Sequence, residues 1–273
     1  MNAPLSTPAA PPAPSTATRG ARIHAVTSGK GGVGKTFVSA NLAAALAKLG
    51  HRVLVIDADL GLANLDVVLN LQPKTTLHDV FTGKASLDAA LLNAPGGFDV
   101  LLAGSGLVEY SRLTPEVRDQ LMQVLQSVRP RYDHVLVDTG AGISDVVLHA
   151  VSLADHVLIV ATPEPTSLAD AYATIKVLAM QQSRRQMLVA VNQVTRTGEG
   201  RTVAQQLQTV VDRFVKLADN QSVKLRYLGE IPSDKTVREA VQRRQLMMQM
   251  FPGCSAAQAM TQLATKIEEA VQP

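Results

Sequence analysis

Residues 23–36 read IHAVTSGKGGVGKT, and the fold follows from this stretch. Ile23 to Ser28 is an apolar, β-branched run, the composition of a strand. Gly29-Lys30-Gly31-Gly32-Val33-Gly34-Lys35-Thr36 then fits G-x-x-x-x-G-K-[ST] in full. Residues 35–49, KTFVSANLAAALAKL, read as a helix, with Gly50 in the C′ position that ends it. A strand, a glycine-rich loop and a helix in this order are the setting of a phosphate-binding loop. The glycines let backbone N–H groups turn inward without Cβ clashes. The helix N-terminus adds partial positive charge. Lys35 reaches the terminal phosphates as a point charge, and the Thr36 hydroxyl can ligate Mg²⁺. A plain glycine-rich turn is the bland alternative, and the flanking elements argue against it.

Working outward, short apolar runs recur at 52–57, 98–103, 134–139, 156–161, 187–192 and 225–231. Helical patterns lie between them near 114–129, 144–153, 167–181, 200–218, 234–247 and 255–271. Strands that are apolar throughout, alternating with helices, predict an α/β fold with a doubly wound, mostly parallel sheet. Residues 1–20, MNAPLSTPAAPPAPSTATRG, carry too little apolar surface to offset their ordering entropy and are expected to be disordered. Residues 21–273 then form one domain, with no repeat or linker inside it.

Composition narrows the classes further. The 273 residues are 46% apolar but only 3% aromatic, so the core is aliphatic. A net charge of +3 is too small to argue for nucleic acid by itself. One cysteine, Cys254, rules out an intrachain disulfide framework and a cysteine-ligated metal. His24, His51, His78, His134, His149 and His156 are scattered, and no pair shows ligand spacing, so none is expected to bind metal. No apolar run reaches membrane-spanning length and the start lacks a signal-peptide pattern, which predicts a cytoplasmic protein.

Three carboxylates sit at strand ends. Strand 52–57 runs into Asp57-Ala58-Asp59, followed by Leu60-Gly61-Leu62-Ala63-Asn64-Leu65-Asp66. Strand 134–138 ends in Asp138-Thr139-Gly140-Ala141-Gly142. The carboxyl edge of an α/β sheet is where ligands bind. Alone, each Asp reads as a turn or cap residue; together in one phosphate-loop domain they read as a site.

The segment Lys30-Gly31-Gly32-Val33-Gly34-Lys35-Thr36 resembles the deviant Walker A of the MinD/ParA family of ATPases, and the resemblance covers about residues 22–265. It implies ATP and ADP as ligands, Mg²⁺ as cofactor, hydrolysis of ATP to ADP and phosphate, and a homodimer formed with ATP. It implies that Lys30 reaches across the dimer to the partner's nucleotide. By the same resemblance Asp59 positions the attacking water, Asp57 holds the Mg²⁺ shell and Asp138 binds Mg²⁺ through water. Asn192 and Ile231-Pro232-Ser233-Asp234 stand where relatives cradle the adenine, although Asn192 also reads as a turn residue and Asp234 as a helix N-cap. Phe37 stands where many relatives carry a small polar residue beside the α-phosphate.

Within the family, Asp57-Ala58-Asp59-Leu60-Gly61-Leu62-Ala63-Asn64 and Pro163-Glu164-Pro165-Thr166-Ser167-Leu168-Ala169-Asp170-Ala171-Tyr172 resemble the flagellar-number regulators FlhG and FleN. So do Ile231-Pro232, Val237, Ala240, Val241 and Phe251-Pro252. Partners implied are the flagellar GTPase FlhF, C-ring proteins and a transcription activator, with recruitment to the membrane or a cell pole left open. The N-terminus lacks the activator motif many such relatives use on FlhF. The helix 255–271 presents Met260, Leu263, Ile267 and Val271 at helical spacing with one lysine, which predicts packing on the domain and weak or no membrane contact. Arg238, Arg243, Arg244, Met247, Met248, Met250 and Phe251 read either as a partner surface or as core. A ParA-like DNA-partitioning ATPase is the alternative; it wants a dense basic stripe, which the sequence does not offer, and no specific nucleic acid is expected.

Overall fold

Strand β1 (Arg22–Ser28) runs through the middle of an eight-stranded sheet. A computed structural model describes residues 20–59, 64–104, 114–217 and 221–270. The expectation of disorder for 1–20 falls almost wholly outside the described residues, as do Leu60–Ala63 of the acidic segment.

The other strands are β2 (Val53–Ala58), β3 (Leu91–Ala94), β4 (Phe98–Leu101), β5 (His134–Ala141), β6 (His156–Ala161), β7 (Gln186–Val194) and β8 (Lys224–Pro232). Their order is β3-β4-β2-β5-β1-β6-β7-β8. Every pairing is parallel except the outermost, β3 with β4. That antiparallel edge strand, and the short helices α2 (Leu65–Leu69), α3 (Leu77–Phe81) and α4 (Leu87–Ala90), escaped the sequence reading. Each is five residues or fewer, too short to show a period.

The longer helices are α1 (Lys35–Lys48), α5 (Pro115–Val128), α6 (Asp145–Ser152), α7 (Pro165–Gln181), α8 (Glu199–Phe214) and α11 (Ser255–Ala270). They divide between the two faces of the sheet. On one face, Ile23 and Ala25 of β1 share a core with α5 to α8. On the other, Val26 packs with α1 and α11, including Met260, Leu263 and Ile267, all 1% exposed or less. The last helix therefore lies against the domain body. Val271 is outside the described residues.

One expected helix is broken. Residues 234–247 form α9 (Lys235–Gln242) and, after a turn, α10 (Met247–Met250). Arg244 adopts φ +51°, while the Gln245 N–H donates to the Ala240 carbonyl and the Arg244 N–H to Val241. This is a Schellman ending with arginine in the place glycine usually takes, so the stop carries no sequence signal. Met247 and Met248 are buried, the core reading of that segment. Gly50, by contrast, closes α1 at φ +94° as expected. Among the described residues no helix is long and apolar enough to cross a membrane.

Candidate nucleotide site

The loop between β1 and α1 lies at the carboxyl edge of the sheet, and neighbouring elements press on it. A Cβ on Gly29 would stand 2.1 Å from the carbonyl carbon and oxygen of Asp170 in α7. Gly34, the N-cap of α1, has φ +92°, and a Cβ there would lie 2.5 Å from Asn192 Nδ2. Asn192 itself donates from Nδ2 to the Val33 carbonyl at 2.8 Å. The loop is thus held from β7 and roofed by α7. Gly29→Ala is expected to displace α7 at a cost of about 1–3 kcal/mol, as overpacking typically does. A thermal melt, together with loss of labelled ATP binding, checks it; an unchanged melt and full binding would contradict the close approach.

Lys35 is almost fully buried and donates from Nζ to Ser28 Oγ at 3.0 Å. Ser28 in turn donates to the Lys30 carbonyl at 2.7 Å, so one serine couples both lysine positions. Burial lowers the Lys35 ammonium from its ordinary range, while Asp138 and Asp59 pull it back up. Lys30 points elsewhere. Its Nζ donates to Glu164 Oε2 and to Thr166 Oγ1, each at 2.8 Å.

Asp138 is 2% exposed and accepts from Ser39 Oγ at 2.9 Å. Burial pushes its carboxyl up to about 6, against the opposing hydrogen bonds from Thr36 and Ser39 and the charge of Lys35. Asp57 lies beside it across β2 and β5, in register. Burial, then the charge of Asp138, pushes Asp57 up to about 8. The carboxyl of Asp57 accepts from the backbone N–H of Asp59 at 3.1 Å and of Leu65 at 3.4 Å. Burial and mutual repulsion both resist ionisation of this pair, and a divalent cation relieves both. Oxygen donors of this kind suit Mg²⁺.

Asp59, Lys35 and Thr36 line one cavity of about 540 Å³ with Gly31, Gly140 and Ser144. A Cβ on Gly140 would sit 3.4 Å from Asp59 Oδ1, so the glycine leaves room for that carboxylate. Phe37 also lines this cavity, though its side chain is largely in the core. Asp57 does not; it lines a neighbouring cavity of about 370 Å³ with Asp66 and Thr76.

The expected adenine residues lie apart from the 540 Å³ cavity's lining. Asn192 and Ile231 are paired across β7 and β8, and Pro232 ends β8. Asp234 caps α9, accepting from Thr236 N at 2.9 Å, and also accepts from Ser255 Oγ at 2.8 Å at the start of α11. Its N-cap reading is what the geometry displays. Those hydrogen bonds, first that from the Thr236 backbone, hold its carboxyl below the usual range.

Ser28 and Ser39 were not singled out in sequence, and Glu164 and Thr166 stood there only within a segment of resemblance, without a role. Ser39 was findable: it follows Thr36 by three residues on α1, which places both on one helix face. Glu164 was not, since 134 residues separate it from Lys30.

Comparison with known proteins agrees with this fold. A family model described as an AAA domain matches residues 21–190. The antiactivator FleN of Pseudomonas aeruginosa is 44% identical over 90% of this chain and 86% of its own length. The flagellum site-determining protein YlxH of Helicobacter pylori is 34% identical over 89% of this chain and 80% of its own. A solved structure of the septum site-determining protein MinD from Pyrococcus horikoshii, complexed with Mg-ADP, superposes with a TM-score of 0.74 at 28% identity, covering 92% of this chain and 97% of that one.

Proposed function

We propose that this chain, which belongs to the FlhG/FleN branch of the MinD/ParA family of P-loop ATPases, is an ATP-controlled switch that dimerises with ATP and limits flagellar number. One observation carries the reading: a single cavity brings Gly31, Gly32, Gly34, Lys35 and Thr36 of the phosphate loop together with Asp59 and Gly140 from two other strand ends. Mg²⁺-ATP, when bound, supplies the phosphoryl group and the charge that the site must offset.

The chain's own residues divide the work. Backbone N–H groups of Gly29–Gly34 hold phosphate oxygens, and Lys35 offsets their charge from a buried position. Thr36 and Asp138 hold the cation, with Asp57 behind Asp138. Asp59 orients water against the terminal phosphate. Phe37 borders the α-phosphate, and Asn192 with Ile231, Pro232 and Asp234 forms the adenine side. Lys30 leaves Glu164 and reaches the partner subunit's nucleotide. Residues 21–273 act as one ATPase domain.

Dimerisation creates a surface that hydrolysis removes, a two-state logic. A transcription activator is the partner best supported, because FleN is an antiactivator; FlhF and C-ring proteins are further partners. The protein works in the cytoplasm and reaches the membrane or pole through such partners. The test is flagellar number in the source organism after deletion. Excess flagella are expected, reduced by the wild-type chain and not by Lys35→Ala. An unchanged count on deletion would overturn the reading.

A further inference from the structure

Four of the six histidines scattered in sequence meet in space, at the sheet edge opposite the phosphate loop. His24 of β1, His134 of β5, His156 of β6 and His51 just before β2 lie together with Glu268 from the last turn of α11. His134 Nε2 is 2.5 Å from Glu268 Oε1, and His51 Nε2 is 3.7 Å from Glu268 Oε2. The His51 and His134 rings meet edge to face, with centroids 5.0 Å apart. One ligand atom from each of His51, His134 and Glu268 lies within 4.8 Å of the others.

We propose that His51, His134 and Glu268 form a site for a divalent transition-metal cation, best suited to Zn²⁺, which clasps the end of α11 to the sheet. Two imidazoles and one carboxylate are a Zn²⁺ donor set that leaves a fourth position for water. Bonds of about 2.0–2.1 Å at tetrahedral angles set donors about 3.3 Å apart. His134 lies 2.5 Å from one Glu268 oxygen and His51 3.7 Å from the other, so a small turn of the carboxylate brings one oxygen to that spacing from both rings. The fixed ligand is His134, 1% exposed; His51 and Glu268 are 28% and 22% exposed and can adjust around it.

The surroundings suit the role. His24 Nε2 lies 3.1 Å from His134 Nδ1 and is fully buried. Metal binding displaces the proton that His134 Nε2 shares with Glu268 to Nδ1, where His24 Nε2 accepts it in the place a carboxylate or carbonyl more often takes. Arg22 Nη1 lies 3.4 Å from both oxygens of Glu268. A carboxylate has lone pairs enough to keep one guanidinium contact and make one metal bond. Asp234 already ties the first turn of α11 through Ser255, so the metal would fix the other end.

The test uses the full, tag-free chain dialysed against Zn²⁺ and then metal-free buffer, with bound metal counted and affinity measured by titration. One Zn²⁺ per chain is expected, with affinity falling at least about tenfold in His51→Ala and in Glu268→Gln, and a melting temperature that rises with Zn²⁺ in the wild type only. His51→Gln serves as a second variant should His51→Ala melt early without metal. No retained Zn²⁺ in the wild type would overturn the proposal. Equal affinity in wild type and variants would too, since the metal would then sit elsewhere.

Discussion

Asp59→Ala is expected to bind ATP normally and to lose about 10²-fold or more in turnover, the loss typical when a water-orienting carboxylate is removed. Its side chain lines the 540 Å³ cavity facing Gly140, while the proposed phosphate contacts come from the loop. Lys35 keeps its buried place on Ser28 in the variant, and Thr36 keeps Asp138 within reach. Binding and turnover therefore separate. Single-turnover hydrolysis with a parallel ATP-binding titration checks this; turnover within a few-fold of wild type would remove Asp59 from the reaction.

Lys30→Ala should behave in the opposite way in solution. A charge supplied in trans to a transferring phosphoryl group is typically worth about 10³–10⁵ in rate. Loss of ATP-dependent dimerisation and a fall in turnover of about 10³-fold are expected, with ATP affinity changed only a few-fold. The reason lies in where Lys30 rests within one chain. It donates to Glu164 and Thr166, and both members of the ion pair are exposed, 38% and 61%. Such surface pairs contribute about 0–1 kcal/mol. The lysine can leave that contact at little cost once a second subunit offers a phosphate. Glu164→Gln, which only frees the lysine, should leave turnover within about fivefold. Light scattering with ATP and steady-state rates distinguish the two; a persisting dimer in Lys30→Ala would contradict the trans role.

The phosphate loop and the sheet were legible because their signals are local and dense. Eight residues, Gly29–Thr36, define the loop, and β5 and β6 carry unbroken apolar runs, Val135–Val137 and Val157–Ala161, because both faces are covered. The edge strand Leu91–Ala94 and the stop at Arg244 were not legible. The first is too short to show alternation, and the second uses a left-handed arginine without the glycine that usually marks it. Asp57 was read correctly as a strand-end carboxylate, yet sequence could not say that it would face a different cavity from Asp59, two residues on. The histidine cluster was missed for a plainer reason. Spacing along the chain reports ligands on one helix or loop, whereas these residues come from separate strands and a helix that only the parallel sheet brings together.

Whether ATP joins two subunits is the central claim, and the mass of Asp59→Ala in solution tests it most directly, because that variant is expected to hold ATP without consuming it. With ATP and Mg²⁺ the mass is expected to be twice the 29.0 kDa of the chain, and with ADP the mass of one chain. One chain in both states would contradict the switch and the trans action of Lys30, and leave the phosphate loop as a binding site completed by some other protein.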